Sequence, residues 1–222
     1  MVEVTPTARG MNDGRLETDS LSSAVKAIRE DGFVVLNDVI DHGHLDALKV
    51  QMEADLEKIR ALPNVPYNFV WGNIQQDPPP HADLIFREVV ANPYVCQVTH
   101  AVLGDGAFNN YMSGNTNLPG SKLQPVHVDD GQLWPDLERA HPAPRLAVNV
   151  SLGEVTEENG AIELWPGTHL DTMKVVGGSL RVDETALEAR RSIVPPISGN
   201  TRKGAFLVRD VRVWHRGTPN LS

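Results

Sequence analysis

The second half of this chain limits its fold most. From about residue 105 the sequence breaks into short β-like runs at 107–112, 122–129, 145–152, 161–165 and 205–216. Turn-rich segments at 117–120, 157–160 and Pro166-Gly167 divide them. Such runs lack a helical period and suit strands that bury one face. Eighteen glycines and sixteen prolines fit a chain with many turns. Many short strands after a helical first half predict a mainly β (α+β) architecture, a jelly-roll or cupin-like barrel with helices packed outside it.

Spacings of three and four dominate the first half. Asp19 or Ser20 can cap a helix with Leu21, Val25 and Ile28 inside, stopped by Gly32. Phe33-Val34-Val35-Leu36 reads as a short buried strand. Asp41 can cap a longer helix with Leu45, Leu48, Met52, Leu56 and Ile59 on one stripe, ended by Pro63. A third helical pattern covers 82–90, and Asn92 caps a fourth, with Pro93 at its first position and Gly104 past its end. The expected organisation is one domain. Residues 1–18 form a flexible arm, about 19–104 a helix-rich part, and about 105–222 the jelly-roll core. Residues 171–200 read as connecting loop, or as an insertion near the barrel mouth.

Composition excludes several classes. A formal charge of −9 argues against nucleic-acid binding, which usually needs a basic face. No apolar run approaches a membrane span and no signal peptide opens the chain. With a single cysteine, Cys96, neither an internal disulfide nor a thiolate metal cluster can form. The expectation is a cytoplasmic protein with a small-molecule partner.

Chemistry concentrates at His127-Val128-Asp129-Asp130. In an extended segment, residues two apart share a face, so His127 and Asp129 point together while Val126 and Val128 point away. Asp130 falls on the face opposite His127. Far downstream, Val211, Val213 and His215 would share a strand face. Two histidines and one carboxylate suit a facial triad, which leaves three adjacent positions open on a non-haem Fe(II). Those positions can take a 2-oxo acid and then O2. Read alone, His-x-Asp is a weak signal.

The ordered set is stronger: His127-x-Asp129, Glu158-Asn159-Gly160-Ala161, Trp165-Pro166-Gly167-Thr168-His169, and Trp214-His215-Arg216-Gly217 with Asn220 and Ser222. It resembles the phytanoyl-CoA dioxygenase family of Fe(II)/2-oxoglutarate oxygenases, over roughly residues 20–222. The resemblance implies a double-stranded β-helix, Fe(II) held by His127, Asp129 and His215, and 2-oxoglutarate and O2 as co-reactants. By position it implies that Gln124 and Thr168 touch the 2-oxoglutarate carboxylates. Asn149 is a third candidate, since Ala147, Asn149 and Ser151 share one face of their run. The ordinary alternatives are a strand-end hydrogen-bonder, a turn residue and a satisfied barrel amide. Trp71 and Trp134, nearest polar loops, are the candidates for the substrate pocket, against a plain core or rim role.

In that family an arginine beyond the distal histidine anchors the far carboxylate of 2-oxoglutarate. This sequence ends at Ser222, before that point. The expectation is a native protein that continues, or a substitute among Arg145, Arg209 and Arg212. The expected activity is hydroxylation of an unactivated carbon of a small organic substrate, with desaturation or halogenation at the same iron as variants. Asp129 counts against halogenation, which needs the carboxylate's position. The rivals are a non-catalytic cupin-like binding protein and a Zn(II) hydrolase or isomerase.

Overall fold

The structure, a computed structural model, describes residues 1–134, 136–172 and 180–222. Its centre is a four-stranded sheet in the order β1-β2-β8-β5. Strand β1 is Glu3–Val4, β2 Phe33–Leu36, β5 Leu146–Val150 and β8 Phe206–Asp210. A three-stranded antiparallel sheet faces it: β6 (Ile162–Leu164) lies between β7 (Ile197–Ser198) and β9 (His215–Gly217). A separate pair joins β3 (Asn73–Gln75) to β4 (Asn115–Asn117).

Period-two alternation builds the layers. Phe33 and Val35 point inward from β2, meeting Leu207 of β8 and Leu164 of β6 between the two sheets. Val34 and Leu36 point outward to the helices α2 (Thr18–Glu30) and α5 (Pro93–Leu103), through Ala24, Ala27, Ile28, Val95 and Val98. A strand buried on both faces reads as an unbroken apolar run, as β2 does. Two facing sheets, antiparallel except for the β1–β2 pair, with helices on one outer face make a double-stranded β-helix.

Several expected elements form as read. Asp41 caps α3 (His42–Arg60) by accepting from the Gly43 amide at 2.7 Å. Asn92 caps α5 by accepting from Tyr94 and Val95, with Pro93 in the first turn. Helix α2 starts earlier than expected, at Thr18, with Glu17 at the cap position and no side-chain cap bond.

Other expectations are corrected. Residues 1–18 are not a loose arm. Val35 and Asn37 donate backbone bonds to Val2 and Val4, α1 spans Ala8–Asp13, and Val4 and Leu16 are buried. The few apolar residues there complete a sheet edge and a helix contact that would otherwise stay open. The pattern at 82–90 splits into a 3-10 turn (Ala82–Leu84) and one α turn, α4 (Arg87–Val90), with no side-chain cap at either start. Residues 107–112 form no strand; Phe108 and Tyr111 are exposed and the pairing falls instead at β4. The run at 122–129 has only isolated bridges, and 205–216 is two strands rather than one. Between them the Asp210 carboxylate accepts from the Arg212 amide at 2.9 Å and the Asp210 carbonyl from Val213 at 3.1 Å, closing a turn.

In the segment 171–200, α6 (Glu184–Ile193) sets Leu187 against Trp165 and Trp214. Residues 173–179 lie outside the described residues. Among the described residues no helix is long and apolar enough to cross a membrane.

Candidate metal centre

His127 and His215 sit directly opposite each other in an antiparallel bridge, each amide donating to the other's carbonyl at 2.9 Å. Directly paired residues share a face, so the two rings lie side by side with centroids 4.4 Å apart. On the other side of His127, residues 180–182 run antiparallel to 126–128, through Val128 to Leu180 and Val182 to Val126. Val126 and Val128 turn away into a cluster with Trp165, Leu187 and Trp214. Asp129, two residues on, therefore returns to the face of His127. One ligand atom from each of His127, Asp129 and His215 lies within 4.8 Å of the others. Although the 205–216 strand is broken, His215 still reaches this face through β9.

Both rings are held the same way. The Nδ1 of His127 donates to the Pro125 carbonyl and that of His215 to the Val213 carbonyl, each at 2.9 Å. That leaves both Nε2 atoms unprotonated and free to bind a metal. Burial, then the neighbouring His215, lowers His127 from its usual value to about 4. Burial, then the Arg209 charge, also pushes His215 down. Both imidazoles are thus neutral near pH 7, as ligation requires. Burial pushes the Asp129 carboxyl up. The charge of Arg209, at 2.6 Å, outweighs this and holds the carboxyl well below the usual carboxylate range. Two neutral nitrogens and one ionised oxygen on one side of a space fit a facial Fe(II) site.

Asp130 faces elsewhere, paired with Arg145 and capping the Gly131 amide at 2.9 Å. Gln124 and Thr168 hydrogen-bond to backbone groups. The Gln124 amide donates to the Asn68 carbonyl at 2.9 Å and accepts from Gly217 at 2.7 Å. The Thr168 hydroxyl donates to the Trp165 carbonyl at 2.7 Å and accepts from the Trp214 amide at 2.9 Å. Asn149 pairs with Leu207, whose side chain points between the sheets; Asn149 shares that inner face and is exposed there. Trp71 and Trp134 are both half-exposed, Trp71 beside Tyr67 and Trp134 edge-on to His141.

Two site residues escaped the sequence reading in these roles. Phe69 stands 4.5 Å from the His127 ring, centroid to centroid, with the Arg181 guanidinium 5.5 Å from the centre of the Phe69 ring. Its backbone has φ of 65°, unusual for a bulky residue. The Gln124 bond to Asn68 holds the loop there. In the sequence Tyr67, Phe69 and Trp71 alternate like a strand, and nothing there singles out Phe69 for the site. Arg209 was one of three candidate arginines for a carboxylate ligand; the structure sets it on Asp129 instead.

Residues 28–222 match the phytanoyl-CoA dioxygenase family (PhyH). The chain belongs to that family. It is 28% identical to dioxygenase trt7 of Aspergillus terreus over 69% of this chain and 56% of the relative. The chain spans about half the length of the curated relatives it matches. Two solved structures share its fold. AviO1 from Streptomyces viridochromogenes superposes with a TM-score of 0.66 at 20% identity, over 93% of this chain and 90% of that one. EctD from S. alaskensis with 2-oxoglutarate and 5-hydroxyectoine gives 0.67 at 18% identity, over 99% and 78%.

Proposed function

We propose that this chain is an Fe(II)/2-oxoglutarate-dependent dioxygenase that hydroxylates an unactivated carbon of a small organic substrate. In the balanced reaction, one atom of O2 enters the substrate C–H bond and the other enters succinate, with CO2 leaving from 2-oxoglutarate. The observation that carries this reading is the facial set of His127, Asp129 and His215, each histidine tied back through Nδ1. Family membership and the dioxygenase names of the curated relatives support it. Fe(II) held there supplies oxidation by O2 with the 2-oxo acid as electron donor.

The chain's own residues divide the remaining work. The carbonyls of Pro125 and Val213 fix the two rings, and Asp129 supplies the anionic ligand. Phe69 covers one side of His127 and keeps water from it. Asn149, on the inner face of β5, offers an amide to the cosubstrate. Gln124 and Thr168 act one step back, by holding Asn68, Gly217 and Trp214. Trp71 and Trp134, both half-exposed, would contact the substrate.

Anaerobic Fe(II) protein titrated with 2-oxoglutarate should develop a metal-to-ligand charge-transfer band. A substrate screen should then find O2-dependent succinate release. Bound Fe(II) with neither band nor succinate would replace this reading with that of a non-catalytic metal-binding barrel.

A further inference from the structure

Arg209 is a buried cation that has one partner among the described residues. It sits on the inner face of β8, paired across the sheet with Phe33 and Ala147, whose side chains have no polar atom to offer. Its side chain is 6% exposed, and Nη2 lies 2.6 Å from Oδ2 of Asp129. Among the described residues, Nε and Nη1 have no hydrogen-bond partner. Arg212 shows the contrast: its nitrogens are occupied by Asp210, Gln132 and His141, an internal clamp. A buried guanidinium usually meets acceptors at most of its N–H groups. Among the described residues Arg209 meets a single carboxylate, and that carboxylate belongs to the candidate metal centre.

The two oxygens of Asp129 are divided as a result. Oδ2 is taken by Arg209, while Oδ1 is turned to the histidines, 3.4 Å from Nε2 of His215. We propose that Arg209 is a positioning residue for the metal centre: it holds the outer oxygen of Asp129 so that the carboxylate presents one oxygen to the ion. This rests on the reading that His127, Asp129 and His215 hold that ion. Without Arg209 the carboxylate can swing away, or close on the ion through both oxygens and fill a position the facial set leaves open. The Arg209 charge also repels a dication, an effect of opposite sign. Groups that hold a ligand in place are usually net favourable, their loss costing about 10–100-fold in metal affinity or activity.

Co(II) is the probe, since its d–d spectrum reports both affinity and ligand geometry. Wild-type titration tests the centre itself; no binding there would remove the centre and this role with it. If wild type binds, Arg209→Met should weaken Co(II) affinity by at least about 10-fold and alter the d–d bands. Arg209→Lys, with the charge but a single donor head, should fall between the two. In an Asp129→Ala background, Arg209→Met should cause no further loss, because the residue acts through Asp129. Wild-type affinity and spectrum in Arg209→Met would overturn the proposal, as would an equal loss in the Asp129→Ala background. If circular dichroism shows that Arg209→Met does not fold, Arg209→Lys decides: Co(II) binding indistinguishable from wild type overturns the role, and weaker binding with changed d–d bands supports it.

Discussion

Replacing Thr168 with valine separates two roles for one hydroxyl. The family resemblance points to a cosubstrate contact; the structure puts the oxygen between two backbone groups. It accepts from the Trp214 amide at 2.9 Å and donates to the Trp165 carbonyl at 2.7 Å, in a residue 2% exposed. Valine nearly matches the shape, so little cavity forms, but both bonds go. The Trp165 carbonyl keeps a weak contact with the Thr168 amide at 3.4 Å, so the clear orphan is the buried Trp214 N–H. One such orphan costs about 1–3 kcal/mol. For a chain of this size, about 2 kcal/mol lowers Tm by about 4–8 °C. Thr168→Ser keeps the oxygen and should lose less, about 1 kcal/mol for the methyl. Thermal unfolding of the metal-free protein measures the first effect, and anaerobic 2-oxoglutarate titration of the Fe(II) protein measures the second. Thr168→Val should unfold early and bind 2-oxoglutarate within a few-fold of wild type. An unchanged Tm with a tenfold or greater loss of 2-oxoglutarate affinity would refute the reasoning and make the hydroxyl a ligand contact.

His127→Ala, Asp129→Ala and His215→Ala should each abolish iron-dependent turnover while circular dichroism stays native-like; full activity in any one, with metal content unchanged, removes that residue from the triad. Asp130→Asn should be mild, since the Arg145 pair is largely exposed and such pairs contribute about 0–1 kcal/mol; Asp129→Asn should weaken metal binding strongly, and metal analysis showing the reverse would shift the assignment by one residue. In the metal-free protein, His127 titrates near 4 instead of 6.5, and burial pushes His215 and His169 down as well. The unfolded chain therefore takes up these protons first, so stability is whole above about pH 6.5 and falls towards pH 4, by up to about 1.4 kcal/mol per pH unit for His127 alone; a urea midpoint that stays flat from pH 7 to 4.5 would contradict this.

The shared face of His127 and Asp129 was legible because period two is a local rule. It needs only that 126–129 be extended, and the bonds to His215, Leu180 and Val211 keep it so even without a regular ladder. The helix caps Asp41 and Asn92 were legible for the same reason: each cap bond spans three residues or fewer. Strand pairing is not local. The run at 107–112 read as β-like, yet Phe108 and Tyr111 are exposed, while Asn115–Asn117, with no apolar residue, pairs with β3. Phe69 was missed because its place depends on a left-handed backbone turn and on Gln124, more than fifty residues away.

The three arginines show where local rules run out. In sequence, Arg145, Arg209 and Arg212 all lie in β-like runs near the ligands, and nothing ranks them. Parity along 205–216 would place Arg209 on the face of His215 and Arg212 on the opposite one. The turn after Asp210 destroys that parity as an argument, because Arg212 bends back onto the carboxylate two residues before it. Arg209 reaches the metal face for a different reason. Its own strand pairs with β5 and β2 in a register that turns Leu207 and Arg209 between the sheets, and β9 re-enters that space through β6 in the facing sheet. Arg209 and His215 therefore converge across two sheets rather than along one strand. A buried cation there, with Asp129 as its partner, belongs to the support of the metal ligand rather than to the barrel core.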